Sequence, residues 1–246
     1  MKIISNSQTG LVRKNNQDAL AIIEHHNLTV LLVLDGVGGS NAGDVASSLI
    51  ARLVEEKIKN LVVQFSLIDY QLQIINVLSE VNSHIYKLAH QNNFLNGMSS
   101  TLIMAVLTEY GNFFVNVGDS RLYIVDNNGE FRQLSNDHSL MNDLLSRGEI
   151  TVEEVASHPL RNAVTNAMGI YTDLRYDLEN TNSDFKSLFL CSDGVSSYVD
   201  LGMLFNIIAN DSLGIDDKNQ QVADLVYGSG AIDNFTYILV EADINE

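Results

Sequence analysis

The chain has 246 residues, 46% of them hydrophobic, with one proline and 16 glycines, a composition that supports a folded core and excludes disorder. Its 14 basic and 31 acidic residues leave a net charge of −17, a field that repels phosphate backbones, excludes nucleic acid as a natural ligand and suits cations. A single cysteine, Cys191, excludes an internal disulfide and any multi-cysteine zinc site.

No apolar segment follows Met1-Lys2 in the manner of a signal peptide. No stretch approaches about 18 consecutive apolar residues, the length of a membrane span. The expected location is the cytoplasm, with no membrane contact.

Short strands are predicted at 2–5 and 19–24, around the polar loop Arg13-Lys14-Asn15-Asn16-Gln17-Asp18. Alone, such a loop is a hydrophilic connection. As part of a site, Arg13 offers a planar fork to phosphate oxygens while Asp18 faces water on a metal. The five apolar residues from Val30 to Leu34 then read as a strand buried on both faces. That strand delivers Asp35 into the turn Gly36-Val37-Gly38-Gly39, which opens a helix near Asn41. His25 and His26 are expected on opposite faces of the preceding strand, and the histidine spacing nowhere fits zinc.

Ala42, Val45, Ala46, Leu49, Ile50 and Leu53 recur at helical spacing, as do Ile74, Leu78, Val81, Ile85 and Leu88, so two amphipathic helices cover one face of a sheet. Strands follow at 101–108, 112–117, 121–125 and 131–134, the last two joined by a turn with an Asn128-Gly129 hairpin signal. Residues 138–170 are polar and helical, with a helix start at Thr151 and the sole proline at Pro159, and read as an excursion from the core. Strands return at 174–179 and 186–191, helices at roughly 199–209 and 217–227, and a last strand at 235–240. Strands in runs predict an α+β fold of antiparallel sheets with helices outside, in one domain over 1–246.

Asp35, Asp119, Asp193 and Asp233 each adjoin an apolar run. A single Asp-Gly is an ordinary turn dipeptide, but four such acids in one fold are a joint pattern. Gathered without cations they would repel one another and raise their own pKa values. Hard divalent ions remove that conflict through oxygen ligands, which favours Mg²⁺ or Mn²⁺. Rival motifs fail: Asn41 stands where a dinucleotide loop needs its third glycine, and no Gly-Lys pair makes a P-loop. Ser197 stands six residues after Cys191, where a cysteine phosphatase needs arginine.

Taken in order, Arg13 to Asp18, Asp35-Gly36-Val37-Gly38-Gly39, Gly97-Met98-Ser99-Ser100-Thr101, Val117-Gly118-Asp119-Ser120-Arg121, Asp137-His138-Ser139, Asn162 to Gly169, Cys191-Ser192-Asp193-Gly194 and Asp233-Asn234 resemble the metal-dependent protein phosphatases of the 2C type, in their short bacterial stand-alone form. The resemblance implies a four-layer α-β-β-α sandwich with two metals, Mn²⁺ or Mg²⁺, in a cleft at one end. It makes Asp35 the bridge between them, completes one with the Gly36 carbonyl, and assigns Asp193 and Asp233 to the first. Asp119 with Asp193 resembles the pair that holds a third ion. Arg13 matches the phosphate-binding arginine, Asp18 the water-orienting acid, and 138–170 the flap beside the cleft. Gln17 and Val37 stand where eukaryotic members often carry Glu and His, so Val37 leaves the protonation of the leaving group unassigned.

The implied reaction is hydrolysis of phosphoserine and phosphothreonine in proteins by a hydroxide bridging the metals, reversing serine/threonine kinase signalling. The expected partners are phosphorylated proteins, a serine/threonine kinase among them, and the expected state is a monomer. A catalytically degenerate phosphoprotein-binding module is the alternative; it predicts missing metal acids, and all are present.

Overall fold

In the computed structural model, which describes every residue except 38–42, 156, 182–183 and 244–246, the residues from Val30 to Leu34 are fully buried. The chain opens with β1 (Lys2–Gln8) and β2 (Asp18–His25), and this run forms the middle of β3 (Leu28–Val37). Two helices follow, α1 (Gly43–Ile58) and α2 (Leu67–Gln91), then β4 (Ser99–Ser100), β5 (Leu102–Thr108), β6 (Gly111–Val117), β7 (Arg121–Val125) and β8 (Phe131–Gln133). After α3 (Leu140–Ser146) and α4 (Val152–Val155) come β9 (Asp177–Thr181), β10 (Ser187–Cys191), α5 (Asp193–Ser196), α6 (Leu201–Ile208), α7 (Ile215–Gly228) and β11 (Phe235–Glu241).

The strands form two antiparallel sheets, ordered β2-β3-β5-β6-β9 and β1-β11-β10-β7-β8. Side chains alternate across a strand, so β3 serves two cores at once. Val30, Leu32 and Leu34 pack under α1 and α2 with Ile50, Val54, Ile74 and Leu78. Leu31 and Val33 point the other way and meet Leu122, Ile124, Leu188, Leu190 and Ile238 of the second sheet. The far face of that second sheet, with Tyr123, Phe189, Cys191 and Tyr237, is covered by Leu204 and Ile208 of α6 and Val222 and Val226 of α7. The result is the expected helix–sheet–sheet–helix sandwich. Side-chain caps define two of its helix starts, where Ser66 and Asp200 accept the N–H groups of Asp69 and Met203.

Asn41 and Ala42, expected in the first helix, lie outside the described residues; among those described α1 begins at Gly43. The structure departs from expectation at β9 and at the end of β2. The strand expected over 174–179 begins only at Asp177. Ahead of it, the Arg175 guanidinium stacks 3.7 Å above the Tyr171 ring, and its carbonyl accepts from Asn166 at 2.9 Å in place of a sheet partner. His25 ends β2 and His26 turns at φ 54°, so their rings lie 4.1 Å apart instead of on opposite faces.

The end of the sandwich is closed by close main-chain approaches. Gly194, the second residue of α5, lies against the chain entering β11, and a methyl group there would stand 1.8 Å from the Asn234 carbonyl oxygen. Gly194→Ala must therefore separate two backbones. It is expected to cost at least about 2 kcal/mol by urea denaturation; an unchanged midpoint would show that this approach has slack.

Candidate functional site

Each acid singled out in the sequence sits where a strand ends. Asp35 lies on β3 directly opposite Asp18 on β2. Just beyond it β3 leaves β5 and pairs with β4, with Gly36 opposite Ser100. This splay is held at Asp35 itself. Its N–H donates to Thr101 Oγ1 at 3.0 Å, its carbonyl accepts the Thr101 N–H at 2.9 Å, and Ser100 Oγ lies 2.9 Å from the same carbonyl. Asp193 starts α5 two residues after β10 ends, Asp233 stands two residues before β11 begins, and Asp119 lies in the turn between β6 and β7.

Folding brings Asp35, Gly36, Asp119, Asp193, Asp233 and Arg13 to the walls of one cavity of about 230 Å³, with Gln17, Val37, Asn162, Val164 and Asn234. Gly38 and Gly39, also part of the motif, lie outside the described residues. Asp18 is not among the cavity-lining residues. It is buried one layer behind, where Ser192 Oγ donates to its Oδ2 at 2.7 Å.

The electrostatics are those of crowded acids in a poorly solvated site. Burial pushes Asp35 well above the usual carboxylate range, and the charges of Asp18 and Asp193 add to it. Asp193 is raised by burial as well, although its hydrogen bond with Asp35 works in the other direction. Burial and Asp193 push Asp119 up to about 7, and burial pushes Asp18 up to about 7 against the hydrogen bonds from Ser192 and Thr236. Among the described residues the one cation on the cavity wall is Arg13, whose Nη2 donates to Asp233 Oδ2 at 2.6 Å. Among the described residues no three acidic, histidine or cysteine side chains are drawn into a finished ligand cluster. Asp233 faces Arg13, and Asp35 and Asp193 face each other. The donor set nonetheless fits a hard cation, because among the described lining residues there are carboxylates and side-chain amides but no imidazole or thiol.

Sequence reasoning missed the side chains that aim these acids. Asn234 is the chief of them. Its Oδ1 accepts the Gln17 N–H at 2.9 Å and its Nδ2 donates to the Thr9 and Asn15 carbonyls at 2.8 and 2.9 Å, stitching the Arg13 loop to Asp233. Ser192 joins Asp18 to β11, accepting the Thr236 N–H at 3.0 Å. Thr101 Oγ1 is 2.8 Å from Ser120 Oγ, which ties the Asp35 and Asp119 turns together. Polar residues beside each acid in the sequence were the only signal available.

The fold and this site define an α+β sandwich protein with a carboxylate-lined cleft suited to hard cations. Residues 12–225 match the model of the protein phosphatase 2C family, and the chain belongs to that family. It is 32% identical over 241 residues to the serine/threonine phosphatase stp of Listeria monocytogenes, covering 96% of this chain and 94% of that one. Against protein phosphatase PhpP of Streptococcus pneumoniae the identity is 28% over 251 residues, with 98% and 97% covered. The crystal structure of serine/threonine phosphatase Stp1 from Staphylococcus aureus superposes with a TM-score of 0.91 at 30% identity, over 98% of this chain and 95% of that one. Divalent-metal dependence goes with the family.

A pH dependence of stability follows from the raised carboxylates. Asp119 and Asp18 titrate near 3.8 when unfolded and about 7 when folded, so between those values the folded chain binds more protons than the unfolded one. Stability contributed by these groups therefore falls as pH rises through that window. In EDTA the protein is expected to melt at a lower temperature just above about pH 7 than near about pH 5. Millimolar Mn²⁺ should narrow the difference by relieving the repulsion. Equal melting temperatures in EDTA at both pH values would contradict the crowding of charge.

Proposed function

We propose that the chain hydrolyses phosphoserine and phosphothreonine esters in proteins, opposing serine/threonine kinases, with Mn²⁺ or Mg²⁺ held by Asp35, Gly36, Asp193 and Asp233 and a third ion by Asp119 and Asp193. The observation that carries this reading is the convergence of four aspartates from four separate segments on one cavity beside Arg13. The named serine/threonine phosphatases it resembles, over nearly their whole length, support it further.

Bound divalent cations would supply acidification of the attacking water and neutralisation of charge on the phosphoryl oxygens. The remaining work falls to the chain. Arg13 stands at the rim, half exposed, and its fork matches two phosphate oxygens. To take them it exchanges Asp233 for the phosphoryl group, which frees that carboxylate to serve as a ligand. Asp18 acts from behind, fixing Asp35 across the strand pair, and is the candidate for orienting water. Val37 has no proton to give, so the leaving serine or threonine oxygen takes one from water. A degenerate binding module would have lost acids from this wall, and Asp35, Asp119, Asp193 and Asp233 all remain.

Phosphorylated proteins, a serine/threonine kinase among them, are the proposed partners, handled by a monomeric chain in the cytoplasm as a single catalytic domain with its flap at about 138–170. Among the described residues no helix is long and apolar enough to cross a membrane.

Asp193→Asn is expected to lower turnover of p-nitrophenyl phosphate in Mn²⁺ by at least about a hundredfold, because charge stabilisation worth several kcal/mol is removed. The same change takes one charge from a repulsive cluster and should raise the melting temperature in EDTA. Normal turnover in this variant would refute the assignment. For substrate class, wild-type protein should release phosphate from phosphothreonine peptides faster than from phosphotyrosine peptides, and EDTA should abolish both.

A further inference from the structure

His138 belongs to a motif noted in the sequence and has no part in the hydrolysis described above. Its surroundings are unusually specific. The Gly118 N–H donates to His138 Nδ1 at 3.1 Å, and the His138 N–H donates to the Gly118 carbonyl at 2.9 Å. The residue thus grips both main-chain groups of the glycine immediately before Asp119. Gly118 has φ 116°, and a methyl group on it would lie 2.7 Å from Thr101, so the turn has little room to reshape itself around a change.

On its other sides His138 holds the root of the flap. Its carbonyl accepts the Thr165 N–H at 2.8 Å, and Asn166 Nδ2 lies 2.9 Å from Nδ1. The next residue, Ser139, caps α3, and Leu140 donates to the Ala163 carbonyl at 2.9 Å, so both strands of the flap's neck meet here. Since Nδ1 accepts a main-chain N–H, the ring proton sits on Nε2, which donates to Asp177 Oδ2 at 3.0 Å on the edge strand β9.

We infer that His138 is a positioning residue for Asp119: it fixes the turn that presents this carboxylate to the cavity and ties that turn to the flap. The inference rests on the metal reading above for its effect on catalysis, but not for the geometry itself. A partner that orients a metal-binding group from outside typically changes affinity by roughly ten- to a hundredfold.

Two amides separate the contacts. His138→Asn places an acceptor near the position of Nδ1, whereas His138→Gln retains only a donor near Nε2. Mn²⁺ affinity, measured by calorimetry, is expected to fall roughly ten- to a hundredfold in His138→Leu and His138→Gln and to recover in His138→Asn. Activation by Mn²⁺ should shift to higher concentration in the same order, with KM for p-nitrophenyl phosphate changing less. Hydrogen exchange at the Gly118 amide should be slow in wild type and His138→Asn and fast in the other two. Wild-type Mn²⁺ affinity in His138→Leu with slow Gly118 exchange would overturn the inference, as would equal behaviour of the Asn and Gln variants. If His138→Leu does not fold, the Asn and Gln pair decides alone. Absence of Mn²⁺ binding by the wild type would sink the metal reading only, and the exchange measurement would then judge His138.

Discussion

The constraint on which this structure depends is the enforced proximity of carboxylates that water does not screen. Asp18 and Asp35 face each other across a strand pair, Asp193 lies close enough to Asp35 for each to shift the other's pKa, and Asp119 lines the same cavity. A free chain would separate them. They are held because each is attached to a strand whose apolar residues have no alternative to burial, with Val33, Leu34, Val117, Leu190 and Cys191 all fully buried. Burial of a large aliphatic side chain is worth about 1.5–3 kcal/mol, so several such residues outweigh the repulsion that they impose on the acids they carry. The core and the site are thus opposed forces acting through the same strands.

What turns proximity into a defined geometry is a set of hydrogen bonds between main chain and small polar side chains. Asn234 grips a loop 217 to 225 residues earlier in the chain, and Ser192 spans from Asp18 to β11. These groups are buried or nearly so, and leaving any one unpaired would cost about 1–3 kcal/mol. That cost makes the arrangement selective: a shift of one acid breaks a bond elsewhere. It also accounts for Gly194, since a close backbone crossing is needed to place Asp193 and Asn234 side by side.

The fold was legible because its signals are periodic. The unbroken run from Val30 to Leu34, the helical stripes through Ile50 and Ile74, and the Asn128-Gly129 turn each express burial or turn chemistry in neighbouring residues, and antiparallel sheets with helices outside follow from them; the four-layer sandwich came from the family resemblance. The aspartates were legible through their shared context at strand ends. Three kinds of feature were not. The position of Asp18 behind the cavity depends on register between β2 and β3, which sequence spacing does not encode. The clamps of Asn234 and His138 join segments far apart in the chain, and a lone Asn or His carries no periodicity. The late start of β9 goes with local contacts ahead of it, Arg175 stacking on Tyr171 and its carbonyl accepting from Asn166, which a strand-like composition does not reveal.

The pairing of Arg13 with Asp233 ties these levels together. In a cavity walled by four carboxylates Arg13 is the one guanidinium among the described lining residues, and it sits on Asp233, where it stays half exposed at the rim. Burial works against a charged Arg13, yet the hydrogen bond to Asp233 more than offsets it and keeps the guanidinium pKa raised. A divalent cation on Asp233 would remove the reason for that bond and release the fork towards the opening of the cleft. Under the proposed function, phosphate and metal binding would be linked through one side chain: an ion supplying positive charge in the wall would also free positive charge at the mouth. Arg13 and Asp233 are paired at 2.6 Å, so under the proposed function neither residue's contribution would be independent of the other.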